Sequence, residues 1–207
     1  MKKSPAISCL FLDIGGVLLS NGWDHHARKR AAATLNFDWA EMETRHRLTF
    51  ETYEQGRLTL EEYLRLVIFH ERRSFSVAAF RTFMFAQSRP YAEMIALAAR
   101  LKHRHGLKIV AVSNEGRELN AHRVRTFKLD QLVDAFISSS SVHIRKPDAA
   151  IYRLALDVAH ASASAVLYVE NTPMFVDIAK GLGIRSILHT DCRSTRAAFA
   201  SYGLDAA

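Results

Sequence analysis

The chain has 207 residues, about half of them apolar, which is enough for one sizeable core or for a core with a modest insertion. No apolar run approaches the roughly 18 residues of a membrane span, so no membrane partner is expected. Lys and Arg outnumber Asp and Glu 28 to 21, a surplus that would suit nucleic acid or an anionic small substrate.

The basic residues are scattered through Arg28–Arg30, Arg45–Arg47, Arg100–Arg104 and Arg123–Lys128, among apolar helix positions. No nucleic-acid motif accompanies them. They are read as solvated helix faces, and no nucleic-acid partner is expected. Cys9 and Cys192 lie far apart in no ligand-like spacing, which suits a reduced, cytoplasmic protein without a disulfide framework. The opening "MKKSPAISCLFLDIGG" mimics a signal peptide, but Asp13 interrupts its apolar stretch and no A-x-A-like cleavage site follows closely. It is read as a first strand.

In chain order, the apolar run Ile7–Leu12 ends on Asp13, followed by Gly15 and Gly16 and a second apolar patch, Val17–Leu19. Residues 23–88 carry no convincing strand. They predict four amphipathic helices, near 23–35, 38–53, 59–71 and 76–87. Thr59 and Glu62 form a capping-box signature at the start of the third. From residue 107 short apolar runs alternate with helix-length segments: strands at 107–114, 134–140, 165–171 and 184–189, helices at 118–127, 148–160, 173–183 and 194–203. The 173–183 helix opens with proline and closes with glycine. This alternation predicts an α/β fold, a doubly wound parallel sheet with a helical insertion after its first strand.

Ligands of open α/β sheets bind outside the carboxyl ends of the strands. Those ends carry Asp13, then Ser113 and Asn114, then Glu170 and Asn171, with Lys146 in the loop "HIRKPD". Each is weak alone: an Asp caps helices, Ser-Asn is turn chemistry, Lys-Pro is commonplace. Together they make a phosphoryl-transfer set. A carboxylate attacks phosphorus, and Mg²⁺ relieves the contact between two anions. A hydroxyl and an ammonium hold the remaining phosphoryl oxygens. Gly15 and Gly16 let the backbone turn sharply, so main-chain groups approach phosphate and metal.

These motifs, "FLDIGGVL", "VAVSN", "IRKPDAAIY" and "LYVENTPMFVDIAKGLGI", resemble in order and spacing those of the haloacid dehalogenase-like (HAD) hydrolase superfamily. The stretch "YEQGRLTLEEYL" is similar to the small helical cap of its phosphatases, phosphoglycolate-type enzymes and dehalogenases. The resemblance implies a Rossmann-like core over residues 1–20 and 89–207 and an all-helical cap over 21–88. It implies Asp13 as nucleophile and metal ligand, and the Gly15 carbonyl and Glu170 as further ligands of Mg²⁺. Ser113, Asn114 and the Gly16 backbone would bind the phosphoryl group of a small phosphorylated substrate, and Lys146 would neutralise charge.

Two positions depart from the pattern. The family's second aspartate, an acid–base group worth about 10²–10⁴-fold, is Gly15 here. Its acidic pair before the fourth helix is Glu170-Asn171. A substitute acid from the cap or its hinge would be Asp24, His25, His26 or Glu54. Three readings follow: an Mg²⁺-dependent phosphatase working through an aspartyl phosphate, a non-catalytic phosphate-binding protein, and a metal-free 2-haloacid dehalogenase. The last ranks below phosphatase because that branch carries a Tyr where Gly15 stands and a Ser-Ser-Asn fourth motif. A Schiff-base phosphonatase is not supported, since Lys29 is the cap's only lysine.

Among the remaining residues, His103 and His105 are read as charges at a helix end and Asp177 as a surface charge. Phe69, Phe75, Phe80, Phe83 and Phe85 are read as cap packing, and Trp23 and Trp39 as core anchors.

Overall fold

The computed structural model describes residues 6–205, so the two lysines of the signal-like opening lie outside the described residues. Five parallel strands form one sheet in the order β3-β2-β1-β4-β5: β1 Cys9–Leu12, β2 Lys108–Ser113, β3 Ala135–Ser138, β4 Val166–Glu170 and β5 Arg185–Leu188. The apolar run before Asp13 becomes the central strand because both of its faces are covered. Leu10 and Leu12 face one layer with Ile109, Ala111, Leu167 and Val169, packed on α5 (Ala92–His105) through Met94, Leu97 and Leu101. Cys9 and Phe11 face the other with Val110, Val112 and Tyr168, packed on α8 (Ala149–Ala159) through Ile151, Tyr152 and Ala155. The alternation is the period-2 geometry of a strand. Leu10, Phe11 and Leu12 are fully buried, each worth roughly 1.5–3 kcal/mol.

The other helices of the sheet layers are α6 (Arg117–Thr126), α7 (Ser139–Val142), α9 (Pro173–Gly181) and α10 (Cys192–Ser201). The strand expected over 134–140 stops at Ser138, because Ser139–Val142 turn into the short α7.

Four helices follow β1: α1 His25–Leu35, α2 Trp39–Glu54, α3 Leu60–Val67 and α4 Val77–Phe85. They close around a third apolar cluster that includes Trp23, Met42, Tyr53, Tyr63, Leu64 and Phe80. Phe69, Phe75, Phe83 and Phe85 pack on it; so does Trp39, half-buried at its edge rather than anchoring its centre. The capping box at Thr59 and Glu62 is formed in both directions, so α3 starts where its sequence says.

The two connections between these helices and the sheet run side by side. Ser20 N–H donates to the Arg89 carbonyl at 2.8 Å, and Arg89 N–H donates to Ser20 Oγ at 3.0 Å. Across the molecule the C-terminal end of α2 docks on the β2 and β3 loops. There Gly116 is required: a Cβ on it would stand 2.0 Å from the Tyr53 ring. Among the described residues no helix is long and apolar enough to cross a membrane.

Candidate active site

The carboxyl ends of β1, β2 and β4 converge beneath the helical cap, at a cleft of about 390 Å³. The sheet contributes Asp13, Gly15, Asn114, Glu115, Lys146 and Asn171 to its lining, and α2 contributes His46, Phe50, Tyr53 and Glu54.

Asp13 follows the last residue of β1. Its Oδ1 accepts from the Ile14 N–H at 2.9 Å and lies 3.2 Å from Lys146 Nζ. The Lys146 side chain is 1% exposed, and its ammonium also donates to the Val112 carbonyl at 3.1 Å, the Tyr168 hydroxyl at 3.2 Å and Glu170 Oε2 at 2.7 Å. Burial works against that charge, but Asp13 and Glu170 outweigh it and hold Lys146 protonated. Burial also pushes the Asp13 carboxyl up to about 7, aided by Glu170 and opposed by Lys146.

Of the residues expected at the other strand ends, Asn114 lines the cleft, as does Asn171, whereas Ser113, Glu170 and Gly16 stand outside its lining. Ser113, at the end of β2, is buried, and its Oγ has no partner. Asn114 faces the cleft, but its amide is engaged: Nδ2 donates to the Lys146 carbonyl at 2.8 Å and Oδ1 accepts from the Lys146 N–H at 2.9 Å. It braces Lys146. Glu170 is fully buried, and Tyr168 OH and Lys146 both donate to its Oε2. Its Oε1 accepts from the Thr172 N–H at 2.9 Å. Gly16 has φ +80°, and a Cβ there would stand 2.2 Å from the Asn171 amide, so this turn admits glycine.

One terminal atom of the Asn171 amide lies 3.3 Å from the Gly15 carbonyl oxygen and 2.9 Å from Glu170 Oε1. As nitrogen it donates to both and ties Glu170 to the turn after Asp13. The remaining groups, the Asp13 and Glu170 carboxylates and the Gly15 carbonyl, are hard oxygen donors of the kind Mg²⁺ takes.

Of the four acid–base candidates, two line the cleft. Asp24 caps α1, accepting from the Ala27 N–H at 2.7 Å. Glu54 is buried against Arg145, whose Nε and Nη2 lie 3.0 and 2.9 Å from its Oε2. His25 and His26 are exposed and stand outside the lining. Asp177 and His103 are exposed, as expected.

The structure corrects the reading of the basic residues. Arg28 and Arg123 are buried and line the cleft, not solvated faces. Arg28 grips Glu43 with two nitrogens and donates to the Trp23 carbonyl at 2.7 Å. Arg123 reaches from α6 to Glu115 and to the Ser20 carbonyl, with its Nε unpartnered. A Cβ on Gly15 would stand 3.2 Å from Asn21 Oδ1 and 3.8 Å from Arg123 Nη1, so a guanidinium lies beside the position of the missing acid. Glu115 and Arg145 also escaped the sequence reading. Each is adjacent to a recognised motif residue, Asn114 or Lys146, and that adjacency was the only available signal.

The family model for haloacid dehalogenase-like hydrolases matches residues 7–183. No curated protein matches the sequence. Among solved structures, a HAD family enzyme from Bacteroides thetaiotaomicron, in complex with magnesium and inorganic phosphate, is 19% identical with a TM-score of 0.75, over 89% of this chain and 95% of that one. A predicted HAD-like family hydrolase from Porphyromonas gingivalis is 16% identical with a TM-score of 0.76, over 95% and 98%. L-2-haloacid dehalogenase from Xanthobacter autotrophicus, with chloropropionic acid covalently bound, is 16% identical with a TM-score of 0.62, over 96% and 84%. At these identities the neighbours speak to the fold, and the family model speaks to membership. Matched over most of its length, with the four motifs gathered at one cleft, the chain belongs to the haloacid dehalogenase-like hydrolase family.

Proposed function

We propose that this hydrolase is an Mg²⁺-dependent phosphatase that takes the phosphoryl group of a small phosphorylated metabolite onto Asp13. The observation that carries the reading is the convergence at that carboxylate. A fixed ammonium lies 3.2 Å away and is shared with the Glu170 carboxylate at 2.7 Å, and a buried serine hydroxyl on the neighbouring strand has no partner among the described residues.

Ile14 N–H and Lys146 orient Asp13 for attack on phosphorus, giving an acyl phosphate that water then opens. The Ser113 hydroxyl donates to a phosphoryl oxygen. Asn114 keeps Lys146 in place through its backbone.

Charge favours a metal in this reading. Asp13 attacks as its carboxylate, it shares Lys146 with Glu170, and the substrate brings a dianion. Like charges 4 Å apart cost about 4 kcal/mol at an effective dielectric of 20. Asp13, the Gly15 carbonyl and Glu170 would hold the Mg²⁺, which would supply the compensating charge. Trp23, Phe50 and Tyr53 wall a cleft of about 390 Å³, sized for a small metabolite. In this division residues 1–20 and 89–207 carry the chemistry, and the cap at 21–88 closes over the substrate to exclude water. The magnesium and phosphate bound in the Bacteroides thetaiotaomicron relative support the same reading.

The test is a thermal shift with Mg²⁺ and beryllofluoride, separately and together, on wild type and Asp13→Asn. Beryllofluoride mimics a phosphoryl group on a carboxylate. The expected result is a rise in Tm that needs both ligands and vanishes in Asp13→Asn.

One observation favours a second reading. Both Glu170 oxygens already have protein partners, and Asn171 turned nitrogen-inward holds the site together without a cation. That arrangement suits metal-free displacement of halide by Asp13. The absence of any shift, with halide released from 2-chloropropionate, would decide for it. Binding of phosphate without turnover of any ester would leave the non-catalytic reading.

A further inference from the structure

Gly15 leaves the phosphatase reading without a group to protonate the leaving oxygen. We propose that Glu54, from the cap, is that group, protonating the leaving group and then activating the water that opens the aspartyl phosphate.

The inference rests on the phosphatase reading above and on where Glu54 is held. Glu54 closes α2 and is 8% exposed in the cleft that also contains Asp13. Both flanks of the catalytic site fasten it. Its backbone carbonyl accepts from Ser139 Oγ at 2.7 Å, and that oxygen accepts from the Glu115 N–H at 3.0 Å, on the loop after Ser113. Its carboxylate meets Arg145, the residue before Lys146. A cap acid tied to both loops keeps its place relative to the phosphoryl group.

Of the other acids in the cleft, Asp24 caps α1, and Glu115 meets Arg123 through Oε1 with Oε2 unpartnered among the described residues, so Glu115→Gln in the same assay separates it from Glu54. A guanidinium is no general acid, so Arg123 does not serve, although its Nη1 stands 3.8 Å from the vacant side-chain position at Gly15.

The groups facing Glu54 are Arg145 and Lys146 from the loop before α8, Glu115 from the loop after β2, and Glu51, Arg145's other partner, on its own helix. Burial pushes the Glu54 carboxyl up to about 7 against the pull of Arg145, so both protonation states are populated near neutral pH.

The step balances. As Asp13 bonds to phosphorus and the ester P–O bond breaks, the departing oxygen takes the Glu54 proton. Water then attacks phosphorus while Glu54 accepts its proton, the bond from phosphorus to Asp13 breaks, and phosphate leaves with Asp13 free and Glu54 protonated again.

Three aryl phosphates of similar shape test the assignment: 2,4-dinitrophenyl, p-nitrophenyl and phenyl phosphate, in falling order of leaving-group quality. Wild type, Glu54→Gln and Glu54→Asp are assayed with Mg²⁺, with Asp13→Asn as the blank. Glu54→Gln should lose about 10²–10⁴-fold in kcat/KM, which reports only the steps up to leaving-group departure, on phenyl phosphate and little on the dinitrophenyl ester. It should also lose the alkaline fall of the wild-type pH profile, and Glu54→Asp should recover part of the phenyl phosphate rate. Equal loss of kcat/KM on all three esters would mean that Glu54 only docks the cap through Arg145, and the proposal fails. So does a Glu54→Gln variant as fast as wild type on phenyl phosphate. A wild type inactive on every ester and unshifted by beryllofluoride is a different result: it overturns the phosphatase reading, and this inference with it.

Discussion

At the scale of single residues, the turn after β1 carries the tightest constraint. Gly16 combines φ +80° with an Asn171 amide 2.2 Å from the place a Cβ would occupy. Gly16→Ala therefore incurs about 1–2 kcal/mol of backbone strain and must also displace Asn171 from Gly15 and Glu170. The expected outcome is a lower urea midpoint together with loss of the beryllofluoride response. Adding Asn171→Ala should restore part of the stability and none of the response. An unchanged midpoint for Gly16→Ala alone would contradict this account of the turn. Asp13, Ser113, Lys146 and Glu170 could be picked from the sequence because strand ends are where a parallel sheet presents ligands. Arg123 could not. A charged residue in an amphipathic helix reads the same whether it faces water or reaches back to Glu115 and Ser20.

At the scale of elements, α2 does more than cover the cleft. His46 sits on its inner face, 4% exposed, with Nδ1 2.7 Å from the Tyr63 hydroxyl. Burial, helped by Arg28, lowers its pKa from 6.5 to about 4. In the unfolded chain it takes a proton near 6.5 and in the folded one only near 4. Between those values the unfolded state binds more protons, so acidification destabilises the fold. Asp13 and Glu54 act in the opposite direction. Their raised pKa values add stability at low pH that is lost as pH climbs to about 7. The difference between wild type and His46→Asn isolates the histidine: the wild-type advantage should grow from pH 4 to 6.5, by about 3 kcal/mol at most. Chemical denaturation across that range gives the two curves, and parallel curves would exclude the effect. Element identities were largely legible. Thr59 with Glu62 marked the start of α3, and Pro173 the start of α9. The end of β3 was not, since the apolar-to-serine run "FISSS" suits a strand or a turn, and the contact of Ser139 with α2 selects the turn.

At the scale of the whole molecule, besides the packing of α6 on α3 and α4, cap and sheet layers meet along two seams. One is the paired linkers at Ser20 and Arg89. The other runs along the end of α2, where Ser139 Oγ joins Glu54 to Glu115, Arg145 joins Glu51 and Glu54, and His143 joins the Gln55 carbonyl at 2.7 Å. Ser139→Ala leaves a buried carbonyl and a buried N–H without their partner. It should cost about 1–3 kcal/mol in urea unfolding. No measurable change would mean that the seam is held by the arginine pairs alone.

The sequence by itself determined the parallel sheet, the helical insertion after the first strand and the motif residues at the strand ends. Those follow from periods of 2 and 3.6 residues and from turn chemistry, which are local properties of the chain. Only the tertiary structure decided what those residues are free to do. It engaged Asn114 on the Lys146 backbone, paired Glu170 with Lys146 and Tyr168, and set Arg123 beside Gly15. It also placed Asp24 and Glu54 in the cleft and left His25 and His26 exposed outside its lining. The physical reason is that charge and hydrogen-bond partners are set by which segments approach through space. Residues 54 and 145, or 20 and 123, have no local pattern that announces their meeting.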